Sequence, residues 1–432
     1  MTPLPWWEPS CLAAALARCF GQEGLVWLDG DGSPLGRRGL LAVAPQQRLR
    51  CDGLPGDGGS RDPFEALQEL SQDRRGTWLG WLAYEAGAWV EPGPHWQRPD
   101  MAMLWAGRYE AVVQLDLHRR QLWVVGEGRQ RQVLEELIRS GPGAAAAPLE
   151  SPAGLALEQW HWHSSAAVFQ RQVQEVQAWI SAGDLFQANL TSCAEQSLAA
   201  AVDPLALYQR LRRVCPAPFG GLMVADAQEA VLSASPERFL QLQPSGLVET
   251  RPIKGTRPRH QEPSLDADAA AELITSAKDR AENVMIVDLM RNDLGRVCEP
   301  GSIDVPQLLG LESYAQVHHL TSVVTGKLRK NQDLVALLRA CWPGGSITGA
   351  PKIRACQRLN QLEPLARGPY CGSFFKLDSD GSFDSNLLIR SMMLRGKRLR
   401  VHGGCGIVAD SDPGQEAAEL GWKVQPLLEA LS

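Results

Sequence analysis

The sequence predicts a mixed fold of helices and strands, α+β or α/β. Three observations lead there. Helix-period and period-two apolar patterns both recur along the chain and are joined by long connections. The 432 residues are enough for two or three domains or one large unit, and for a core that needs no cross-links. The composition, 44% apolar and 21% charged, is that of a globular protein and not of a disordered one.

The elements follow in order. Residues 1–139 are Trp-rich and hold short strand-like runs such as Leu122-Trp-Val-Val125. Residues 140–149, SGPGAAAAPL, carry no charge and read as a linker. This divides the chain into an N-terminal region (1–139), a linker (140–158) and a larger C-terminal region (159–432). The larger region opens with a helix on which Phe169, Val173, Val176 and Ile180 recur at helical spacing, with Ser164 as N-cap and Gly183 as stop. An alternating stretch follows at Leu185–Leu190, then a helix from about Leu265 to Leu289. Thr321–Thr325 and Leu399–Val401 read as strands. The last helix runs from Pro413 towards Leu431, with Asp412 as cap, Pro413 at the first position and Gln415 three residues after the cap.

Charge and cysteine usage exclude several classes. With 43 basic and 49 acidic residues the net charge is −6, which gives no reason to expect nucleic acid as a partner. The ten cysteines form no CxxC pair and read as reduced thiols of a cytoplasmic protein. The first twenty residues lack the basic start of a secretory leader, and no run of about 18 apolar residues is present to span a membrane.

Several motifs carry chemistry. Pro343-Gly-Gly-Ser-Ile-Thr-Gly-Ala-Pro-Lys352 has the glycine separation of a phosphate loop, but Ala350 and Pro351 stand between the second glycine and the lysine. It reads better as a glycine-rich turn that offers amides and hydroxyls to an anion. His402-Gly-Gly-Cys-Gly406 reads as a tight loop after a strand, open to a small ligand. Asp279 with Glu282, and Glu416 with Glu419, are pairs three residues apart, so each pair shares one helix face. Facing each other they would suit Mg²⁺; apart, they are solvated surfaces. Glu237, in Ser-Pro-Glu-Arg-Phe, is either a buried acid or an exposed turn carboxylate. Lys254 stands between Arg251 and Arg257, whose charge would favour a neutral amine; a basic surface loop is the plainer alternative. His318 and His319 are adjacent, so on a strand only one can face a pocket.

Five of these segments in this order, namely Ser-Pro-Glu-Arg-Phe, Arg-Pro-Ile-Lys-Gly-Thr-Arg-Pro-Arg, Asp-Arg-Ala-Glu-Asn-Val-Met-Ile-Val-Asp, Pro-Gly-Gly-Ser-Ile-Thr-Gly-Ala-Pro-Lys and Gly-Ile-Val-Ala-Asp-Ser-Asp-Pro, resemble the chorismate-utilising enzymes. The likeness is strong over about residues 160–430. It is weak before that, through Trp27-Leu-Asp-Gly30 and Gly80-Trp-Leu-Ala-Tyr84. It implies an α+β fold in which two large β-sheets pack as a sandwich flanked by helices, with chorismate bound between them.

The same resemblance assigns roles. Glu282 and Glu419 would hold Mg²⁺ directly, with Asp279 and Glu416 alongside. Tyr370, Arg390 and the backbone at Gly406 would hold substrate carboxylates. Thr256 and Thr348 would face the same pocket, Glu237 would be the acid, and His319 the active-site histidine. Isochorismate- and salicylate-forming members carry a water-activating lysine where this chain has Gln187, and an amide cannot deprotonate water. Anthranilate-forming members read Pro-Ile-Ala-Gly-Thr where this chain reads Pro252-Ile-Lys-Gly-Thr256. Lys254 marks the branch that makes 4-amino-4-deoxychorismate for 4-aminobenzoate and folate, in which the amine attacks the ring covalently. Anthranilate formation and a non-catalytic chorismate-binding subunit are the rival readings. With no glutaminase region in the chain, the ammonia would come from a separate glutamine amidotransferase. The stretch at Trp27–Gly30 lacks the serine through which relatives bind tryptophan.

Overall fold

The computed structural model describes residues 3–143, 159–314 and 317–431. Most of the expected linker, residues 144–158, lies outside them. Two large sheets dominate, one of eleven strands and one of ten. At one end of the first sheet the order is Gly349–Ala350, Gln187–Ser197, Arg398–Ile407 and Ser391–Arg395. Its other end is built from Val26–Asp29, Arg38–Ala42, Ala111–Asp116 and Gln121–Gly126. The second sheet begins with Ile253–Pro258 and Val317–Lys327 and ends with Thr77–Leu82, Leu104–Tyr109 and Gln47–Cys51. Strands from before and after residues 144–158 therefore share both sheets.

Alternation along the strands makes this a sandwich. Met223, Val231 and Met393 of the first sheet join one apolar core with Trp78, Trp81, Phe374 and Phe375 of the second. Their sequence neighbours Leu222, Leu232, Met392 and Leu394 point the other way, into a second core under the outer helices. Phe169, Val173 and Val176 of the helix Ala166–Ser181 and Leu420 and Val424 of the helix Pro413–Glu429 belong to that second core.

Most predicted elements are present, with three corrections. The first helix is capped by Ser165, not Ser164, because it is the Ser165 hydroxyl that accepts from the Val168 amide. The predicted helix from Leu265 to Leu289 is two helices, Pro263–Thr275 and Ala277–Gly295. Ser276 leaves the helical conformation and accepts the Asp279 amide through its side chain, so a new helix starts there. His402–Gly406 is no loop. It lies within the strand Arg398–Ile407, paired residue for residue with Gln187–Ser197, because the backbone ladder continues through glycines that contribute no side chain. The last helix begins as expected, with Asp412 accepting the Gln415 amide at 2.8 Å.

One buried residue ties the strand Gln187–Ser197, the glycine-rich turn and the N-terminal region together. The Arg367 guanidinium is paired twice with Glu363, at 2.7 and 2.8 Å. It also donates to the carbonyls of Ile347 and Asn189 and lies over the Tyr84 ring. Its side chain is 1% exposed and that of Glu363 is 4%. Removing one partner strands the other charge in the interior. Arg367→Met is therefore expected to lose about 3–5 kcal/mol of stability in urea denaturation. Adding Glu363→Leu to it should recover part of that loss.

Candidate active site

A cavity of about 160 Å³ opens between the sheets at the Gln187–Ser197 end. Asn189, Gly403 and Gly404 form one wall, and Ile253, Lys254, Thr256 and His319 the other. Glu237, Ser346, Tyr370 and Arg390 close it. Of the residues expected from the sequence, Glu237, Lys254, Thr256, His319, Tyr370 and Arg390 thus share one space. A larger cavity of about 530 Å³ lies elsewhere, near Leu28, Phe219 and Asp384. Arg238 is its only residue from the five motifs, so we place the chemistry in the smaller one.

The walls of the smaller cavity are polar and incompletely satisfied. His319 Nδ1 lies 2.9 Å from the Thr256 hydroxyl, while Nε2 is buried with no partner among the described residues. Burial pulls its pKa down to about 3, so the ring is neutral at pH 7. His318 faces away, to Ser313 and Asp266. His402 stacks on Tyr370, with ring centroids 5.0 Å apart, and its Nε2 also lacks a partner among the described residues. Buried polar atoms without partners await a ligand or water. Arg390 stands at φ 50, a left-handed conformation that costs an arginine about 1–3 kcal/mol and that clusters at functional sites. No carboxylate pairs with it among the described residues, and burial lowers its pKa. Its fork is thus available to an incoming carboxylate.

Glu237 is 4% exposed. Burial raises its pKa to about 7, against the opposing influence of the Ser346 hydroxyl and of Lys254. It can therefore carry a proton at neutral pH. Lys254 Nζ lies 4.0 Å from Glu282. The arginines expected to surround it with positive charge are engaged elsewhere: Arg251 with Glu312 at 2.6 Å, Arg257 with Glu272 and Asp279 at 2.9 and 3.1 Å. Long side chains on a strand turn to the nearest carboxylates, which here lie off the cavity.

Gly406 marks the point where three groups meet. A Cβ there would stand 2.6 Å from Gln187 Nε2, 3.3 Å from Lys254 Nζ and 3.4 Å from a Glu282 oxygen. Gln187 is buried, with its Oε1 unpartnered among the described residues. Thr348 does not face the cavity. Its hydroxyl donates to the Gly344 carbonyl at 2.8 Å, and Ser346, two residues earlier, is the hydroxyl that lines it. Lys352 is no phosphate ligand either, since it pairs with buried Asp293 and donates to the Cys341 carbonyl.

Glu282, Glu416 and Glu419 gather around Lys278, while Asp279 is held by Arg257 at 3.1 Å. Lys278 is held above its usual pKa, against burial, by Glu416, Glu282 and Glu419. Its ammonium lies 3.3 Å from Glu416, and Lys423 lies 2.7 Å from Glu419. Glu282 is pushed up by burial, with Asp279 and Glu416 adding to the shift and Lys254 and Lys278 opposing it. Ligand atoms of Cys405, Glu416 and Glu419 lie within 4.8 Å of one another. Burial raises the Cys405 thiol to about 12, so at neutral pH it offers no thiolate and the donors are carboxylate oxygens. A crowded carboxylate set of this kind fits a hard divalent cation such as Mg²⁺.

The model of one protein family, the chorismate binding enzymes, matches residues 28–429. The chain is 38% identical to aminodeoxychorismate synthase component 1 of Salmonella typhimurium over 372 residues, 85% of this chain and 80% of that one. It is 39% identical to the protein of the same name from Klebsiella aerogenes, over 90% of this chain and 82% of the relative. Among solved structures it superposes on anthranilate synthase component I from Streptococcus pneumoniae with a TM-score of 0.77 at 27% identity, over 91% of this chain and 92% of the other.

Calorimetric titration of the protein with Mg²⁺ tests the carboxylate set. Glu282→Gln and Glu419→Gln are each expected to weaken binding by more than about tenfold with the fold intact. Unchanged affinity in both variants would remove these residues from the metal site.

Proposed function

This chain belongs to the chorismate binding enzyme family, and on that premise we propose that it is the chorismate-aminating component of an aminodeoxychorismate synthase. Its substrate is chorismate, its product 4-amino-4-deoxychorismate, and its nitrogen source ammonia delivered by a separate glutamine amidotransferase. The product serves 4-aminobenzoate and folate synthesis. The observation that carries the reading is the primary amine of Lys254 in the same small cavity as a buried, protonatable Glu237.

Chorismate carries a carboxylate at C1, an enolpyruvyl ether at C3 and a hydroxyl at C4. Arg390, with its unpaired fork, and Tyr370 receive carboxylate groups, and the bare backbone at Gly406 lets the ring approach Lys254. Lys254 Nζ forms a bond to C2 while the C4–O bond breaks, and Glu237 gives its proton to the departing hydroxide, which leaves as water. Ammonia then bonds to C4 and the C2–N bond to Lys254 breaks. One difficult substitution becomes two easier ones. Neutral His319 donates or accepts a hydrogen bond but carries no charge into the cavity. Gln187, an amide, gives no base for water attack at C2. Glu282 and Glu419 would hold Mg²⁺, with Asp279 and Glu416 holding its waters. That ion would neutralise the C1 carboxylate and draw charge from the ring.

All of these residues lie within the larger C-terminal region, 159–432. All ten cysteines are free, which supports a reducing, cytoplasmic setting. No helix among the described residues is long and apolar enough to cross a membrane.

Incubation of the purified chain with chorismate, Mg²⁺ and ammonium chloride is expected to yield 4-amino-4-deoxychorismate, whereas glutamine alone gives no product. Glu237→Gln should slow turnover by about 10²–10⁴-fold, the range for losing a positioned acid. As an acid that must be protonated, Glu237 predicts kcat/KM falling as pH rises through about 7. Anthranilate as the main product would overturn the assignment.

A further inference from the structure

Ser346 is a residue of the glycine-rich turn to which neither the motif nor the likeness gives a role. Its hydroxyl donates to Glu237 Oε1 at 2.7 Å, and both side chains are buried. Both ends of this hydrogen bond are anchored. On the Glu237 side, its amide donates to the Ser235 hydroxyl at 3.2 Å, and its carbonyl accepts the Leu387 amide at 3.0 Å. On the Ser346 side, the turn is held at Ile347 by Arg367 and at Thr348 by the Asn189 amide and the Gly344 carbonyl. These contacts fix the backbone on both sides of the hydrogen bond.

We propose that Ser346 is a positioning residue that orients the Glu237 carboxyl, leaves Oε2 as the oxygen that carries the catalytic proton, and sets the pH at which that proton is lost. The proposal rests on the reading of Glu237 as the acid. The carbonyl oxygen of a carboxylic acid accepts a hydrogen bond better than its hydroxyl oxygen does, so donation to Oε1 favours the proton on Oε2. The same donation favours the carboxylate over the carboxylic acid. The ionisable groups that share the cavity are Lys254, His319, Tyr370, Arg390, His402 and Lys423. Of these, Lys254 acts on Glu237 in the same direction as Ser346; the backbone amide of Ile253, which also donates to the carboxyl, adds to them, and burial opposes all three.

The sign follows. Ser346→Ala removes a donor to the charged form, so Glu237 holds its proton to higher pH. The Glu237 C=O stretch, identified in infrared difference spectra by its absence in Glu237→Gln, should titrate near pH 7 in the parent protein. In Ser346→Ala the midpoint should rise by about one pH unit, and Ser346→Thr, which keeps the hydroxyl, should restore it. The falling limb of kcat/KM for chorismate, at saturating Mg²⁺ and constant free ammonia, should move with it. An infrared midpoint unmoved by Ser346→Ala would overturn the proposal, as would a rise in KM alone. An infrared midpoint that moves while the kinetic limb stays would leave the hydrogen bond intact and show instead that Glu237 is not the acid.

Discussion

The buried pair of Glu363 and Arg367 is the constraint on which the site depends. Its guanidinium reaches the Asn189 carbonyl on one strand and the Ile347 carbonyl on the glycine-rich turn, while Glu363 accepts the Thr191 amide. Just behind it, Glu85 of the N-terminal region accepts the amides of Arg367 and Gly368. Burying two charges is expensive, and such a pair adds little stability over an apolar equivalent. What it adds here is placement. The strand that bears Gln187, the turn that bears Ser346 and the N-terminal region are all registered on one planar group, and a shift of any one would cost that buried group one of its contacts.

Beyond that clamp, the cavity is organised by charge that is balanced at its edges and left open at its centre. Arg251 and Arg257 are spent on carboxylates outside it. Lys278 and Lys423 stand against Glu416 and Glu419 beside it. Inside, Arg390 has no carboxylate, and the Nε2 atoms of His319 and His402 have no partner, among the described residues. A substrate with two carboxylates and a leaving hydroxyl supplies what these groups lack. The close approach at Gly406 explains why the strand carries glycine there: a methyl group would strike Gln187 and press on Lys254.

Much of this was legible in the sequence. Period-two and helical patterns locate the strands around Val124, Val323 and Val401 and the last helix; the five ordered motifs hold Glu237, Lys254, Asp279 and Glu282, and the resemblance they carry points to Arg390, Glu416 and Glu419 outside them. What escaped depends on neighbours in space. The helix break at Ser276 was hidden because apolar spacing runs across it, while a single hydroxyl contact decides where the second helix starts. His402 and Gly406 were read as a loop because glycines weaken a strand signal, yet the partner strand satisfies the ladder. The resemblance names Thr348 and not Ser346 two residues earlier in the same motif, and nothing local tells which hydroxyl turns inward. Arg367 bears no local mark of its burial at all.

The amination chemistry proposed for this cavity depends on Lys254 as a nucleophile and not merely as a neighbouring charge. Intact-protein mass spectrometry after treatment with chorismate and Mg²⁺, with ammonia withheld, tests it most directly. The expected result is an added mass equal to chorismate less one water, located on the peptide that contains Lys254 and discharged as 4-amino-4-deoxychorismate when ammonia is supplied. A protein that aminates chorismate at full rate yet never carries that mass would contradict it, and ammonia would then have to attack the ring without a covalent intermediate.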